Sequence, residues 1–347
     1  PPTATEARAR LARFAPLAGV PYAQRRNFDL GAGKHVHVST LSPYVRMKLL
    51  DEADLSRAVL SHLDAREADK FLAEVWWRTY WKGWMEQRPT VWSAYRDDLA
   101  RLHNEVQTQS GLRARWQAAW QLGADFFLRH LLDGDAAVNT LSWRWVAGIQ
   151  TQGKTYLATP ENIEKFTGGR FGDVHGLATS AAPVSAPPPP ARRDIPELED
   201  YSGAPADRVG LLLHSDDLVA PDLARWGIEP ISTAYLECTA LQSPWHIAPV
   251  VTKFRSALAR DVAPDALHLA NAQALCDWAA EHDLNQIITP HAPVGPVRTT
   301  LRTARSEGIV PITEVRRDID SAAWPLATAG FFKFRAHIPD LLDRFAR

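Results

Sequence analysis

The clearest hydrophobic pattern lies in residues 69–86, where apolar side chains recur at helical spacing along two separate stripes. The first stripe comprises Leu72, Val75, Trp76, Thr79, Tyr80 and Gly83. The second comprises Glu74, Trp77, Trp81 and Met85. A helix that is apolar on two faces is either buried in the core or lines a cavity. The carboxylate in the second stripe favours a cavity, although a core helix in which Glu74 meets an arginine explains the pattern equally well.

The second half of the chain alternates short apolar runs with amphipathic stretches. The runs typical of strands are 210–214, 231–236, 267–270, 286–289 and 309–313. The stretches typical of helices are 217–226, 247–260, 271–283 and 294–306. This alternation predicts a parallel α/β sheet. No glycine-rich phosphate-binding motif follows any of these strands, so the sheet carries no nucleotide signature of its own.

A proline-rich segment separates the two halves. Residues 178–197 read ATSAAPVSAPPPPARRDIPE, and the four consecutive prolines at 187–190 cannot enter a helix or a central strand. They favour an extended polyproline segment that acts as a linker or a surface strap. We therefore predict a multidomain α plus α/β protein, with a helical domain over 1–177, a linker over 178–200 and a parallel α/β domain over 201–347.

Composition places the chain among globular proteins and removes several other classes. Of the 347 residues, 46% are hydrophobic and 23% are charged, and no apolar run is long enough to span a membrane. The two cysteines, Cys238 and Cys276, exclude four-cysteine zinc and iron–sulfur sites and fit a reducing, cytoplasmic setting. The pair His35 and His37 has no evident third ligand, so we predict no metal site.

Charge and tryptophan are distributed unevenly between the halves. Residues 1–177 carry 23 Lys/Arg against 19 Asp/Glu, a net +4, whereas the remainder carries 16 against 21, a net −5. Nine of the thirteen tryptophans also lie in the first half. A mildly basic, Trp-rich domain is compatible with nucleic-acid binding. On charge alone, the simpler interpretation of a large aromatic core is favoured.

The segment from Asp133 to Trp145, DGDAAVNTLSWRW, contains side chains suited to a planar polar ligand. Asp135, Asn139 and Trp143 are spaced four residues apart, which places them on one face of a helix. Asp133 is the predicted cap of that helix. A carboxylate and an amide beside an indole can hydrogen-bond to and stack on a conjugated heterocycle such as a flavin. The simpler alternative is a capped core helix whose tryptophan packs internally.

Hydroxyl groups cluster at Ser39, Thr40 and Ser42, ahead of a helix that we predict to begin near Pro43. Backbone amides and hydroxyls at the start of a helix suit a phosphate group. A plain N-cap is the commoner meaning of such a cluster. The spacing by itself leaves both interpretations open.

Four segments, taken in order, resemble the FAD-binding domain of the photolyase/cryptochrome superfamily. They are YAQRRNFD from Tyr22, STLSPYV from Ser39, FLAEVWWRTYW from Phe71 and DGDAAVNTLSWRWVAG from Asp133. The resemblance spans about residues 20–171. Here the helical domain comes before the α/β domain, the reverse of the usual order, so the chain resembles the small bacterial group with inverted topology. The resemblance implies light-driven repair of cyclobutane pyrimidine dimers in single-stranded DNA, with the α/β domain covering the FAD site.

The resemblance implies FAD as the cofactor and gives several residues a role toward it. Those that would hold the pyrophosphate and ribityl chain are Tyr22, Ser39, Thr40, Leu41 and Ser42. Asp133 and Asp135 would bond the flavin side of the pocket, and Asn139 would lie at flavin N5 and help set its redox state. Trp143 would be the first electron donor in flavin photoreduction, and Trp120 the second. The candidates for a third donor are Trp116 and Trp92.

The resemblance also implies contacts with damaged DNA. Glu74 would hydrogen-bond the dimer and stabilise its radical anion, while Trp77 and Trp145 would pack against the two pyrimidines. Arg26 and Arg78 are candidates for phosphate or lesion contacts. The implied enzyme is a deoxyribodipyrimidine photo-lyase acting as a monomer in the bacterial cytoplasm. Three alternatives stay open, namely repair of (6–4) photoproducts, a cryptochrome-type blue-light sensor and a flavin-free nucleic-acid-binding relative.

The sequence departs from the superfamily ahead of the Asp-Gly-Asp segment. Relatives carry about 40 more residues at the join between Ala119 and Trp120, enough for two helices, and that region supplies an arginine beside the flavin. Either these residues are missing from the sequence at this join or the protein truly lacks them. We favour the first explanation, because a true deletion would remove core packing that the flanking motifs require. We therefore predict a break in the chain between Ala119 and Trp120, or nearby.

Overall fold

The computed structural model describes residues 1–106, 119–151, 156–181, 184, 188–198 and 208–347. Trp116, one candidate for the third electron donor, lies outside these ranges. Within them the N-terminal part is helical, and the C-terminal part is a five-stranded parallel sheet with helices. This arrangement confirms the predicted fold class. No helix in the described part of the chain is long and apolar enough to cross a membrane.

The N-terminal part is built from helices that differ in how they begin, and some of them are capped by a side chain. The helices are α1 (Ala4–Phe14), α2 (Val20–Arg25), α3 (Ser42–Arg46), α4 (Glu52–Leu60), α5 (Asp69–Glu86), α6 (Thr90–Val106), α7 (Ala119–His130), α8 (Ala136–Val146) and α9 (Pro160–Phe166). Helix α4 begins with a capping box, in which Asp51 and Asp54 each accept a hydrogen bond from the other's backbone N–H. Helix α5 has the bounds of the predicted segment, 69–86.

The C-terminal part is built around a parallel sheet with the strand order β3-β2-β1-β4-β5. The strands are β1 (Val209–His214), β2 (Ser232–Leu236), β3 (Leu267–Leu269), β4 (Gln286–Pro290) and β5 (Ile312–Val315). The helices are α10 (Pro249–Val262), α11 (Ala272–Glu281), α12 (Pro296–Ser306), α13 (Asp318–Ala323), α14 (Phe331–Arg335) and α15 (Ile338–Phe345). Strand β1 is buried at every position, as expected for a central strand that is covered on both faces.

Residues 217–226 are not the helix that their amphipathic pattern predicts, and they contain just a 3-10 turn at Ala224–Trp226. Asp217 instead exchanges backbone hydrogen bonds with His214, at 3.0 and 3.1 Å. Its carboxylate accepts two further hydrogen bonds from Arg317, at 2.8 and 2.9 Å. The local bonds to His214 and the long-range bonds from Arg317 together hold the segment in a non-helical path. The other predicted elements of this part are present, with ends shifted by at most three residues.

No break lies between Ala119 and Trp120, so the prediction at that position is wrong, while the positions just before Ala119 lie outside the described residues. Both residues belong to the first turn of α7. The physical reason is direct packing of α7 on α6, where the ring centroid of Tyr95 lies 6.1 Å from that of Trp120. The described helices before and after residues 107–118 therefore contact each other.

One apolar core runs through both parts of the chain. Its buried members include Trp76 and Leu141 from the helical part together with Leu211 and Tyr235 from the α/β part. Burial of apolar area is the main favourable term in folding and in association. The two parts are therefore held against each other by the same term that stabilises each of them.

The chain beyond the sheet packs along α5. Gly83 of α5 lies so close to Trp324 that a Cβ at this position would be 2.7 Å from the Trp324 Cα. Six residues earlier on the same helix, the ring of Trp77 stacks on that of Phe331 with centroids 3.7 Å apart. The C-terminal helices therefore cover one side of α5 and leave its other side for the site described below.

Candidate functional site

A cavity of about 640 Å³ opens in the helical part, between α2, α3, α5 and α8. Its volume falls within the range of about 300–1,000 Å³ that is usual for small-molecule and cofactor sites. The lining residues are Tyr22, Ser39, Leu41, Ser42, Val45, Leu55, Phe71, Glu74, Val75, Trp77, Arg78, Trp81, Val138, Ser142 and Trp145. Eight of them are residues to which the resemblance gives a role, namely Tyr22, Ser39, Leu41, Ser42, Glu74, Trp77, Arg78 and Trp145.

Helix α5 contributes the longest wall of this cavity. Glu74, Trp77 and Trp81 from its second stripe line the cavity, whereas Met85, the fourth member, is fully buried. The cavity interpretation of that stripe is therefore correct. Glu74 also meets an arginine, as the alternative required, because its carboxylate lies 3.6 Å from Nε of Arg26. The Glu74 side chain is 45% exposed, so this ion pair lies at the mouth of the cavity.

The hydroxyl cluster ahead of α3 divides into two groups. Ser39 and Ser42 line the cavity, and the N-cap residue of α3 is Leu41, which makes no side-chain cap hydrogen bond. The Ser39 hydroxyl accepts a hydrogen bond from the Leu41 N–H at 3.3 Å. Thr40, with a φ of 52°, is not a lining residue, and its hydroxyl accepts a hydrogen bond from Arg10 at 3.2 Å. The plain N-cap interpretation is therefore wrong, and two serines are left at the cavity wall.

The start of α8 differs from the prediction. Asp135, not Asp133, is the N-cap residue, and its carboxylate accepts hydrogen bonds from the N–H groups of Ala137 and Val138, both at 3.0 Å. The Asp135 N–H in turn donates to Oδ1 of Asn139 at 2.8 Å. Asp135 and Asn139 are both buried and bond each other, and neither lines the cavity.

The cavity face of α8 is the one next to the predicted face. Val138, Ser142 and Trp145 line the cavity, and Val138 and Ser142 each lie one residue before a member of the predicted set. One residue along an α-helix corresponds to a rotation of about 100°. The predicted face of α8, with Asn139, is consequently turned into the protein, where it meets charged groups from other helices.

Asp135 lies at the centre of a buried cationic cluster. Its Oδ2 is 3.3 Å from Lys82 Nζ, 3.6 Å from Arg46 Nε and 3.6 Å from Arg78 Nη1. Burial acts to raise the pKa of Asp135, but the charges of Lys82, Arg46 and Arg78 outweigh burial and hold that pKa well below its usual range. Asp135 is therefore ionised at neutral pH and fixes the first turn of α8.

Arg78 connects this cluster to the cavity. Its Nη2 lies 3.5 Å from the carboxylate of Asp133, and the side chain is a lining residue. Nη1 of Arg78 is buried and has no hydrogen-bond partner among the described residues. Nη1 is turned toward Asp135 in the buried cluster, whereas the side chain as a lining residue brings a positive charge to the cavity wall, which suits a phosphate group of a bound molecule.

Trp143 and Trp120, to which the resemblance gives the electron-donor roles, do not line the cavity. Trp143 packs on α7, where a Cβ on Gly123 would lie 2.5 Å from its Cζ3. Trp120 lies one helical turn before Gly123. Its ring centroid is 6.1 Å from that of Tyr95, which is 5.6 Å from that of Trp92. The structure therefore places Trp120, Tyr95 and Trp92 in one aromatic row.

Two aromatic residues beside the cavity were missed by the sequence analysis. Phe331 of α14 stacks on Trp77 with ring planes 12° apart, and the ring centroid of Tyr156 is 4.2 Å from that of Trp145. Neither contact can be recognised from a local sequence pattern, because Phe331 and Tyr156 lie outside the helices that carry Trp77 and Trp145. Ser142 was also missed, although its spacing of three residues from Trp145 indicates a shared helix face.

A comparison with known families bears on this site. Residues 112–167 match the family model described as the FAD binding domain of DNA photolyase. This photolyase FAD-domain segment contains the whole of α8, with the cap at Asp135 and the lining residues Val138, Ser142 and Trp145. The match points to FAD as the cofactor. No curated protein and no solved structure matches the chain.

The residues around the cavity fit FAD. Phe71 and Val138 supply apolar walls for its ring systems. Ser39 and Ser42 supply hydroxyl donors for its phosphate and ring oxygens, and Arg78 supplies a positive charge at the cavity wall. The donor set of the cavity therefore agrees with the cofactor to which the photolyase FAD-domain segment points.

Proposed function

We propose that this protein is a light-driven flavoprotein that splits cyclobutane pyrimidine dimers in single-stranded DNA, the reaction of a deoxyribodipyrimidine photo-lyase. One observation carries the proposal. A cavity beside a photolyase FAD-domain segment combines Glu74 with two indoles, Trp77 and Trp145, whose ring centroids are 6.5 Å apart. Two aromatic walls and a carboxyl group suit a pair of linked bases, which present two π-faces and ring N–H groups.

The division of work between cofactor and protein follows from these residues. When bound, reduced FAD supplies one electron to the dimer under blue light and recovers it after the cyclobutane ring has opened. The protein has to bind the dimer and keep water away from it. Trp77 and Trp145 stack on the two pyrimidines, and each stack contributes about 1–3 kcal/mol.

In this proposal, Glu74 and Arg26 stabilise the negative charge that develops on the dimer. The Glu74 carboxyl hydrogen-bonds a pyrimidine at the cavity mouth. Arg26, 3.6 Å from Glu74, places a positive charge where negative charge develops on the dimer. The ion pair orients both groups before the substrate arrives, so little reorganisation is needed when the reaction takes place.

The cofactor-side residues divide into direct and indirect roles. Ser39, Ser42 and Arg78 hold FAD directly. Asp135 and Asn139 bond each other at 2.8 Å, so we propose that they serve FAD by fixing the start of α8. The remaining proposed residues keep the roles that the resemblance gives them, namely Tyr22, Thr40, Leu41, Asp133, Trp143 and Trp120.

Single-stranded DNA is the proposed substrate for two physical reasons. Residues 1–177 carry a net charge of only +4, whereas strong duplex binding draws on many phosphate contacts. A lesion in a single strand also avoids much of the few kcal/mol needed to extrude bases from a duplex. A half-exposed cavity mouth is sufficient for such a strand.

The first test is the visible absorption spectrum of the full-length protein, purified from cells, before and after blue light with a reductant. Flavin bands that bleach under light support the proposal. A protein that stays colourless after incubation with FAD overturns it. Repair of a cyclobutane dimer in a single-stranded oligonucleotide, compared with the same lesion in a duplex, then tests the reaction and the substrate.

Matched variants test the site itself. Glu74→Gln should lower dimer repair about tenfold, because a charge-assisted hydrogen bond becomes a neutral one, and should leave FAD bound. Glu229→Gln, at an exposed position of the α/β part, is the control and should repair at the wild-type rate. Equal repair by the two variants contradicts the role of Glu74.

A blue-light sensor of cryptochrome type is the second candidate. The stacking of Phe331 on Trp77 favours it, because this contact covers one face of an indole that a repair enzyme offers to the lesion. A sensor would bind and photoreduce FAD without repairing dimers in either strand form. A flavin-free nucleic-acid-binding relative would show neither property.

A further inference from the structure

The backbone carbonyl of Gly134 is bound by two buried arginines from different parts of the chain. Arg46 of α3 donates to it through Nε, and Arg255 of α10 donates through Nη2, both at 2.8 Å. The two residues are 1% and 0% exposed. Because arginine is almost never fully buried unless its charge is compensated, two of them on one carbonyl mark that carbonyl as a point of structural importance.

Arg255 is the more unusual of the pair. Arg46 has an ionic partner in Asp216, at 2.6 Å. Arg255 instead donates to neutral oxygens, the Gly134 carbonyl and the Thr239 hydroxyl at 2.9 Å, and its Nε has no hydrogen-bond partner among the described residues. Burial, together with the charge of Arg46, lowers the pKa of Arg255 to about 10, so the guanidinium is still charged at neutral pH.

Global stability does not explain an arginine at this position. Replacing a buried charged group with a well-packed apolar side chain of similar volume is often neutral or stabilising. The energetic penalty of burying Arg255 is therefore offset by something other than packing. The bond to Gly134 is the one that leads out of the α/β part and into the helical part.

The end of strand β2 holds Arg255 in place. Tyr235 lies in β2 and donates its hydroxyl to the carboxylate of Glu237 at 2.9 Å. The same carboxylate accepts the Thr239 N–H at 2.8 Å, and the Thr239 hydroxyl accepts from Arg255. A continuous set of hydrogen bonds therefore runs from the carboxyl end of β2 through Arg255 to Gly134.

Gly134 in turn determines the position of two site carboxylates. A Cβ at Gly134 would lie 2.4 Å from the carbonyl oxygen of Leu128, so the peptide has little freedom to move. Asp133, the residue before it, lies 3.5 Å from the cavity residue Arg78. Asp135, the residue after it, caps α8. A shift of the Gly134 carbonyl would displace both contacts.

We propose that Arg255 is a positioning residue, through which the α/β part fixes the start of α8 and thereby the cavity face that α8 presents to FAD. Arg255 is not among the residues that line the cavity. The identity of the bound group rests on the proposed function, whereas the tether between Arg255 and α8 does not. The α/β part then helps to position the residues of the site as well as covering it.

The test compares three variants of the full-length protein. Arg255→Met removes the guanidinium with little change in volume, and Arg255→Lys keeps the charge and one donor. Arg260→Met removes an exposed arginine from the same helix and is the control. For each, the FAD dissociation constant, the shape of the flavin absorption bands and the urea midpoint are measured. Amide hydrogen exchange over residues 133–139 is followed in FAD-free protein.

We expect Arg255→Met to weaken FAD binding about tenfold or more, to change the flavin band shape and to leave the urea midpoint near that of wild type. Exchange should accelerate at Ala137 and Val138, whose N–H groups are bound by Asp135. Arg255→Lys should partly restore FAD affinity and partly slow the amide exchange, and Arg260→Met should match wild type.

Two results would overturn the inference. One is unchanged exchange at Ala137 and Val138 in Arg255→Met. The other is acceleration spread evenly over the whole chain, which would indicate a general loss of stability. If wild type and the Arg260→Met control bind no FAD, the proposed function fails, and the exchange measurement still decides whether Arg255 holds α8.

Discussion

Phe331 and Trp77 lie face to face, with ring centroids 3.7 Å apart and ring planes differing by 12°. The contact joins a C-terminal helix to the wall of the cavity. Phe331 is buried, so Phe331→Ala should lower the free energy of unfolding by about 3–5 kcal/mol. Urea unfolding measures the loss. Its neighbour Phe332 is 76% exposed, and Phe332→Ala should change stability by less than about 0.5 kcal/mol. Similar losses in the two variants would show that the stack is not formed.

Gly83 allows α5 to approach the chain at Trp324. An added Cβ would lie 2.7 Å from the Trp324 Cα and 2.9 Å from its carbonyl oxygen, and neither backbone atom can rotate away. Gly83→Ala should therefore destabilise the protein by about 1–3 kcal/mol, although alanine is the better helix former. Thermal and urea unfolding both measure this.

Gly330 is the matched control for that substitution. No atom lies within 4 Å of a Cβ built there, and its φ of −65° suits any residue. Gly330→Ala should be neutral or stabilising by up to about 1 kcal/mol, because it reduces the freedom of the unfolded chain. If Gly83→Ala were equally harmless, the close approach of α5 to Trp324 would be incorrect.

The raised pKa of His291 predicts a loss of stability as the pH rises above about 6.5. Burial acts to lower the pKa of His291, but Glu314, 2.8 Å from Nδ1, and Glu86, 3.9 Å from Nε2, outweigh burial and raise it. A folded-state pKa above the unfolded value of about 6.5 means that this contribution is complete below about pH 6.5. It is lost as the pH rises through the folded-state pKa. The free energy of unfolding should fall over this range in wild type and less in His291→Asn.

Ionisation of Glu314 has the opposite effect on stability, which is lost as the pH falls. Burial acts to raise its pKa, but His291 and Arg305 lower it to about 2. Its contribution is therefore present above the unfolded value of about 4.3 and disappears as the pH falls toward 2. Glu314→Gln should flatten the acid limb of the stability profile. A variant with the wild-type acid slope would show that the pairing with His291 does not contribute.

The two cysteines should differ sharply in reactivity. Cys238 is buried, and burial raises the pKa of its thiol to about 12, while the thiol donates a hydrogen bond to Thr300. Cys276 is partly exposed. Because the thiolate is the reactive form, iodoacetamide at about pH 8 should modify Cys276 alone in native protein and both residues in urea. Mass spectrometry reports the sites, and native labelling of Cys238 at a comparable rate would contradict its burial.

The sequence predicts well where a local pattern determines the structure. Helix α5 has the predicted bounds because helical periodicity continues through its 18 residues and no proline interrupts it. The strands were found because apolar runs bounded by turns signal buried strands. Residues 217–226 do not form the helix that their pattern predicts. The Asp217 carboxylate accepts hydrogen bonds from Arg317, which lies 100 residues further along the chain and therefore outside any local window.

The site was predicted in its composition but not in its orientation. Eight predicted residues line one cavity, yet the cap of α8 is Asp135 and its cavity face carries Ser142. The face is chosen by the attraction between Asp135 and cations from two other helices, Arg46 and Lys82. Such a choice depends on charges that are brought together by tertiary packing, so periodicity along α8 cannot reveal it.

One apolar core is shared by the helical and α/β parts, so the contact between them does not depend only on the segment that joins them along the chain. Over residues 188–198 that segment is largely exposed. The two parts would keep their mutual surface as separate polypeptides, in the manner of a tight heterodimer. The order in which a gene encodes the two parts then changes the path of the connecting segment but not the buried interface. This architecture can therefore tolerate a reversal of domain order.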